Sequence, residues 1–558
     1  MVLLNCRGTT VRPMSFFQLV RRDMHGSLRK LAFMSALAGI SNSAILTAIN
    51  AGAQTAGDRS DLWAVTLFLI ALFIFIKTQL YVTATITAEI EAIIHRLRVR
   101  IMDLVRHSEL LVLEKIGRAR IVTAITSDTA VLTQASTMLS FSIQAPVLIF
   151  FVGIYVAYLS LAAFAMSVIV IGMAGIIFHF RSRRLAVDKA KAAEEERRLF
   201  DRVADFLDGF KEVRLNSERS NDLFDDAFNA SRTAANIKIR AQTETFRDIL
   251  ASQSYMYILL GAVIFVAPRF SESLGGANSM KVAVALLYIV GAFFGFVQSI
   301  PILLNANAAA DRVDQLEADL HATVSAKEGE IKVSKRFDKI EMRNIVFRYV
   351  HKFSDVPFQI GPIDFSLRSG ELVFITGGNG SGKSTFLKVF AGLYAPDSGE
   401  IILDGKRIDD TRRDAYCALM SAIFVDYHLF QRLYGIPEPE PAETDRLLTE
   451  FQLEDKTGIS HGEFRTLDLS SGQRKRLALI VGLLEKRPIL LLDEWTADQD
   501  PEFRRKFYHE LLPELLRAGT TIVAITHDDR YLDELHLPAR RIRMDEGRIV
   551  EQRSIESG

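Results

Sequence analysis

Charged residues are withdrawn from five long stretches in the first half of the chain. Positions 31–57, 129–180, 249–268 and 282–310 contain no Asp, Glu, Lys or Arg, and 62–88 contains only Lys77. A helix crosses the hydrocarbon core with about 20 apolar residues. The stretch 129–180 is long enough for two crossings, with a turn near Tyr158-Leu159-Ser160, so the pattern predicts six spans. Helices of a soluble core do not normally reach such lengths.

Between the spans the pattern changes twice to mixed charged and apolar residues at helical spacing, over 89–128 and 181–248. At 1.5 Å per residue, twenty residues out and twenty back reach about 30 Å below a membrane. These read as long cytosolic arms with lower turns near 113–118 and 205–214. Helices of that length need something to pack on, which favours contact with a cytosolic domain over a solvated hairpin. Basic residues gather on the same side. Arg21, Arg22, Arg29 and Lys30 precede the first span, Arg96, Arg98, Arg100 and Arg106 follow the second, and Arg181, Arg183 and Arg184 follow the fourth. The other connections, 58–61, the Tyr158 turn and 269–281, are short and carry few cations. The positive-inside rule therefore puts both termini in the cytosol.

Within the spans, Lys77 stands out, because intramembrane charge is costly and often functional. Gln298 and Asn305 lie seven positions apart, hence on one helical face. They could line a polar path or hydrogen-bond between helices, and Lys77 could reach an interface instead.

After a charged segment at 311–337, read as exit helix and linker, short strand-type runs take over. Leu372-Val373-Phe374-Ile375-Thr376 is followed by Gly377-Gly378-Asn379-Gly380-Ser381-Gly382-Lys383-Ser384, then Thr385, and the next residues read as a helix. The glycine-rich stretch fits G-x-x-x-x-G-K-[ST] between strand and helix. Glycines let backbone N–H groups cradle a polyphosphate, and the helix N-terminus favours anions. Lys383 would reach the β- and γ-phosphates of ATP, and Ser384 would ligate Mg²⁺. A glycine-rich turn without a ligand is the bland alternative, and the residues downstream weaken it. Ile489-Leu490-Leu491-Leu492 is a buried-strand run that ends in Asp493-Glu494. The first carboxylate can hold Mg²⁺ through water, and the second can polarise an attacking water. Another strand-type run ends in Thr526-His527, and a histidine there can bond a γ-phosphate. Leu469-Ser470-Ser471-Gly472-Gln473 opens a helix over 474–484, a second anion site at a helix N-terminus. If that helix sits on a separate lobe, it cannot serve the nucleotide held by Lys383. A head-to-tail dimer resolves this, each lobe closing over its partner's ATP. Tyr349, upstream on another strand, is placed to stack on an adenine.

Composition narrows the classes. The chain has 558 residues, enough for two to four domains. Hydrophobic residues make up 49% and mean hydropathy is +0.16, high for a chain with 24% charged residues, and the spans account for the excess. A formal net charge of +0 leaves no basic footprint for nucleic acid. The two cysteines, Cys6 and Cys417, exclude a disulfide scaffold and a cysteine zinc site. The first apolar segment is too long for a signal peptide and is read as a retained span. Met14 is an alternative start. No leader-peptidase domain fits ahead of that span, so a peptide cargo is expected to arrive processed or to be made without a ribosome.

Together these motifs, in this order, resemble the ATP-binding-cassette (ABC) transporters, over nearly the whole chain. The resemblance implies an exporter-type six-helix transmembrane domain (31–310) after a cytosolic segment (1–30), then a linker (311–337) and an α/β ATPase cassette with a helical lobe (338–558). It implies that Gly377, Asn379, Gly380, Ser381, Gly382, Lys383, Ser384 and Thr385 bind phosphate, and that Ser384 and Asp493 bind Mg²⁺. Glu494 would be the general base and His527 the switch histidine. Ser470, Ser471, Gly472 and Gln473 would cap the ATP of the opposite subunit, Asp500 would lie in the loop between the two sites, and Tyr349 would stack on adenine. One cassette per chain implies a homodimer in the bacterial inner membrane. The chain departs from the family at Val425, where the pattern has Gln, and valine cannot touch Mg²⁺ or water. The stretches from Phe424 to Phe430 and from Asp493 to Pro501 resemble the bacterial exporters of cyclic peptides and peptide siderophores, such as pyoverdine, syringomycin-type lipopeptides and microcin J25. ATP-driven export of such a compound is the leading expectation. A multidrug or lipid exporter is the alternative, and an ATP-gated membrane regulator, suggested by Val425, is a further one.

Overall fold

The computed structural model describes residues 15–24, 26, 28–52, 62–266, 268, 277–321, 336–349, 358–535 and 537–555. Met14, Cys6, the connection at 58–61, positions 269–276 and the linker segment 322–335 lie outside the described residues, as do the side chains of Arg181, Arg183 and Arg184. The chain divides into two units, Met1–Asp103 with Ala119–Asp319, and Leu104–Arg118 with Leu320–Gly558.

The first unit is helical. A short α1 (Phe16–Asp23) is closed by a capping box in which Ser15 and Gln18 satisfy each other's backbone N–H groups. Then come α2 (Leu28–Gly52) and α3 (Leu62–His107), whose last turn belongs to the second unit with α4 (Leu110–Ile116). After α5 (Arg118–Thr123) follow α6 (Thr129–Leu159), α7 (Leu161–Asp208), α8 (Phe210–Leu215), α9 (Ser217–Gly261) and α10 (Ala277–His321). Five helices are long and apolar enough to cross a membrane, and Leu161–Ile177 is a shorter apolar helix, among the described residues. Ser160 ends α6 and N-caps α7 through the Ala163 N–H, which places the turn where the sequence suggests it. The arms continue the spans without a break. At 46 residues, α3 is about 70 Å long. Leu46, Val152, Met256, Val263, Val282 and Ile289 share one buried cluster of this unit. Asn50 donates to the Tyr155 hydroxyl at 3.1 Å, which ties α2 to α6.

The cassette carries two larger sheets. β1 (Lys339–Tyr349), β2 (Phe358–Arg368), β4 (Ser398–Leu403) and β5 (Lys406–Arg407) form an antiparallel sheet in the order β2-β1-β4-β5. β3 (Leu372–Thr376) precedes α11 (Lys383–Phe390), and α12 (Arg413–Cys417) precedes β6 (Met420–Ile423). The helical lobe follows, with α13 (Pro441–Glu450), the small hairpin β7–β8 (Ile459–Ser460, Glu463–Phe464) and α14 (Ser471–Leu484). The chain then re-enters the second sheet with β9 (Ile489–Asp493), passes α15 (Pro501–Lys506) and α16 (Leu512–Arg517), and returns through β10 (Thr521–Ile525). It ends with α17 (Asp529–Asp533), β11 (Ala539–Asp545) and β12 (Arg548–Ile555). The second sheet runs β12-β11-β3-β10-β9-β6 and is parallel except for the β11–β12 pair. β3, β9 and β10 are buried at every position, as central parallel strands covered on both faces must be. Each fully buried Val, Leu or Ile there contributes about 1.5–3 kcal/mol relative to exposure.

Candidate functional site: a nucleotide cavity at the carboxyl edge of the parallel sheet

Three strands end side by side. β10 lies between β3 and β9, with Ile525 opposite Ile375 on one side and opposite Asp493 on the other. The loop after β3, the carboxylates after β9 and His527 after β10 therefore share one edge, where ligands of open α/β sheets bind.

The loop needs glycine at Gly377, where a Cβ would lie 2.2 Å from the Met544 carbonyl oxygen, and at two further points. Gly380 and Gly382 have φ of +79° and +94°, a region that only glycine enters without strain. A Cβ on Gly382 would also come within 2.8 Å of the Ile360 side chain. Lys383 is buried, and its Nζ donates to the carbonyls of Gly377 and Gly378 at 3.0 Å each. The Ser381 hydroxyl is buried with no hydrogen-bond partner among the described residues. A phosphate in the adjoining cavity would take over donors of the buried Lys383 ammonium as charge-assisted bonds. Asn379, Gly380 and Gly382 of the loop, with Lys383, Ser384 and Thr385, line a cavity of about 650 Å³ together with Tyr349, Phe358 and Glu494. Tyr349 and Phe358 face each other across β1 and β2 and bring aromatic surface to it.

The Ser384 hydroxyl donates to Asp493 Oδ1 at 3.1 Å. A hydroxyl beside a carboxylate is an all-oxygen donor set suited to Mg²⁺. Burial pushes the Asp493 carboxyl up, against the Ser384 bond, the Val425 N–H and Lys383, while Glu494 adds to the rise. The half-exposed Val425 side chain thus leaves its backbone in contact with this carboxylate. Because the folded pKa lies above the unfolded value, ionising Asp493 works against folding. Asp493→Asn is expected to raise the Tm of the nucleotide-free protein at pH 7. The gain disappears as the pH falls through the folded pKa towards the unfolded value of about 3.9. Mg²⁺ with ATP should invert the order of the two melting curves. A variant that melts below wild type at every pH without nucleotide would contradict the buried-charge account.

Glu494 sits at φ +49°, in the left-handed region. Its N–H donates to the Ile525 carbonyl at 3.1 Å, and its own carbonyl accepts from Lys475 Nζ at 3.0 Å. Lys475, buried and paired with Asp498 at 2.8 Å, thereby fixes the turn that aims the carboxylate. His527 Nε2 lies 3.2 Å from Glu494 Oε1.

Ser470 N-caps α14 and closes a capping box with Gln473, so the helix starts at Ser471, three residues before the start suggested by the sequence. A Cβ on Gly472 would come within 2.7 Å of the Asp498 carbonyl, so only glycine packs there. Asp500 N-caps α15 and pairs with Arg476, whose guanidinium lies 3.6 Å from the Phe503 ring centroid. The Phe503 N–H, and then Arg476, hold the Asp500 carboxyl below its usual range. None of Ser470, Ser471, Gly472, Gln473 or Asp500 lines the cavity that Lys383 lines.

The cavity wall includes residues that no motif marks. Glu114, on α4, accepts from the Tyr394 hydroxyl at 2.7 Å and from Lys388 at 3.4 Å, and all three line the cavity. Burial, then Glu114, push the Tyr394 phenol well up. Glu109 pairs with Arg413 at 2.9 Å, and Leu110 and Leu111 pack on the cassette core. The lower turn of the first arm therefore packs as part of the cassette unit. A hydrogen bond to a charged group contributes about 1.5–3 kcal/mol. Glu114→Ala should accordingly speed tryptic cleavage at Lys115 in the folded protein about tenfold. An unchanged cleavage rate would mean that the bond does not hold the turn.

The family model described as ABC transporter matches residues 360–497. The ATP-binding protein SyrD of Pseudomonas syringae pv. syringae is 35% identical over 538 residues, 92% of each chain. The chain belongs to the ABC transporters. The transporter's cassette is an ATPase, and its apolar helices make it a multi-pass membrane protein. An ATP-dependent lipid A-core flippase of Pseudomonas fluorescens is 33% identical over 229 residues, 38% of this chain and 37% of that one. Among solved structures, a bacterial Atm1-family ABC exporter with ATP bound matches with a TM-score of 0.76 at 17% identity, over 96% of each chain. At that identity the likeness establishes an exporter fold.

Proposed function

We propose that two copies of this transporter pair head to tail and use ATP hydrolysis to export a small peptide-type compound across the bacterial inner membrane. The cargo is a cyclic peptide, a lipopeptide or a peptide siderophore. The observation that carries the pairing is the division of the site. Lys383, Ser384 and Glu494 line one cavity, while Ser470, Gly472 and Asp500 lie outside it, so a second copy is needed to cap the nucleotide. The cargo class rests on the two stretches around Asp426 and Trp495, which resemble exporters of such compounds, and the similarity to SyrD extends over 92% of the chain.

In this reading Tyr349 stacks on adenine, the loop 377–385 holds the phosphates, and Ser384 and Asp493 hold Mg²⁺. Bound Mg²⁺ neutralises charge on the β- and γ-phosphates. Glu494 accepts a proton from the attacking water, and His527 bonds the γ-phosphate. Ser470 to Gln473 cap the partner's ATP. The membrane domain runs over 31–310 with six spans, the cassette over 338–558, and both termini are cytosolic. In inside-out vesicles, cargo should accumulate against its gradient with ATP, and vanadate should stop it. Downhill flux opened by a non-hydrolysable ATP analogue would instead mark the gated regulator that Val425 suggests. Stimulation of the ATPase by lipid, and not by peptides, would mark a lipid exporter.

A further inference from the structure

Inside the membrane unit, α2, α3, α6 and α10 line a second cavity, open on one side and of about 520 Å³, within the range of ligand pockets. Asn42, Gln79 and Gln144 line it from three of these helices, and Tyr288 from the fourth. All four lie well inside helices identified as spans. Asn42, Gln79 and Tyr288 have no side-chain hydrogen-bond partner among the described residues. Gln144 donates only to Ser140, at 3.1 Å, which leaves its carbonyl oxygen free. A carboxamide at membrane depth with no partner costs several kcal/mol. Two such carboxamides, and the free carbonyl oxygen of a third, converge on one space and favour an occupant that can hydrogen-bond.

The rest of the lining says what kind of occupant. Among the described residues no Asp, Glu, Lys or Arg lines the cavity, and Phe75, Phe141 and Leu148 supply apolar wall. Lys77 is two residues from Gln79, about 200° round the helix, and sits near Phe73 instead. An anionic headgroup would find no cation here, and a cationic drug no carboxylate. A peptide bond presents one N–H donor and one C=O acceptor, and a carboxamide presents both counterparts. Space is reserved as well: a Cβ added to Gly291 or Gly295, one turn apart on α10, would meet nothing within 4 Å. Gln298 and Asn305 are exposed and continue that face of α10 towards its cytosolic end.

We infer that this cavity is the cargo site, and that Asn42, Gln79 and Gln144 hold the cargo by the backbone amides of an uncharged peptide segment, with no charge pairing. The inference rests on the peptide-export reading and deepens it.

The test uses full-length protein in nanodiscs and two probes, a cyclic octapeptide of alternating leucine and alanine and its fully N-methylated twin, which has no N–H donors. The readout is the concentration that half-stimulates the ATPase. Wild type should need about tenfold more of the twin, the equivalent of one or two lost hydrogen bonds. The double variant Asn42→Leu with Gln79→Leu should need about tenfold more of the parent peptide, and should separate the two probes less than wild type does, since Gln144 remains. Gly295→Leu, which fills the cavity, should weaken both probes alike. If wild type responds equally to the two probes, the amide site is overturned while peptide export stands. The same holds if the double variant matches wild type for both. If wild type responds to neither, the peptide reading falls and the site with it. The comparison of the probes on wild type needs no variant, so a misfolded variant does not blunt the test.

Discussion

Glu494→Gln should bind ATP as tightly as wild type and turn it over about 10²–10⁴-fold more slowly, the range that a positioned general base supplies. The substitution keeps the shape of the side chain and removes only its ability to accept the proton of the attacking water. The surroundings make it a clean test. Glu494 is held in a left-handed turn from both sides, by Lys475 at its carbonyl and by the Ile525 carbonyl at its N–H. Those bonds involve the backbone and survive the change. His527, 3.2 Å from Oε1, can bond an amide oxygen as it bonds a carboxylate. Turnover is read by phosphate release and binding by a fluorescent nucleotide. Wild-type turnover in this variant would place the base elsewhere.

Lys383→Met should fail one step earlier. The ammonium is buried, its donors now rest on the Gly377 and Gly378 carbonyls, and it faces the cavity that would hold the phosphates. Each charge-assisted bond to phosphate is worth about 1.5–3 kcal/mol, so losing two should weaken ATP binding by about 10²–10⁴-fold. Methionine is apolar and of similar length, so no unpaired charge is left behind. The two variants therefore separate binding from hydrolysis. Equal affinity in Lys383→Met and wild type would show that the loop holds phosphate through its backbone alone.

The residues that meet at the first cavity were legible because the chemistry proposed for them demands contiguous spacing. Gly380, Gly382, Lys383 and Ser384 fall within one short loop, and Asp493 and Glu494 are adjacent at one strand end. Residues that act through distant elements left no such trace. Lys475 fixes the Glu494 turn from a helix that precedes its strand, and Tyr394 and Lys388 meet Glu114 from more than 270 positions away. Nothing local to any of them announces the partner. The start of α14 lies three residues ahead of the expected position because Ser470 and Gln473, the residues that suggest an anion site, also close the capping box that begins the helix. The spans were visible as withdrawn charge, but not the face that each helix turns inward. Gln298 and Asn305 were recognisable as one helical face. Asn42, Gln79 and Gln144 were not, since they come together only when α2, α3 and α6 pack. Trp495 shows the same limit: its burial against Phe507, 4.6 Å between ring centroids, and its bond to the Lys475 carbonyl are tertiary facts behind a residue legible only as part of the stretch from Asp493 to Pro501.

The pairing of two copies underlies every role assigned to Ser470, Gly472 and Asp500, and one measurement addresses it. Chains carrying Lys383→Met and chains carrying Ser470→Arg, each inactive alone, are co-assembled with different tags, and the mixed pairs are purified. Head-to-tail sharing puts both lesions in one composite site and leaves the other intact, so ATPase activity should return in the mixed pairs. Mixed pairs as inactive as either parent, or a monomer that hydrolyses ATP at full rate, would contradict it.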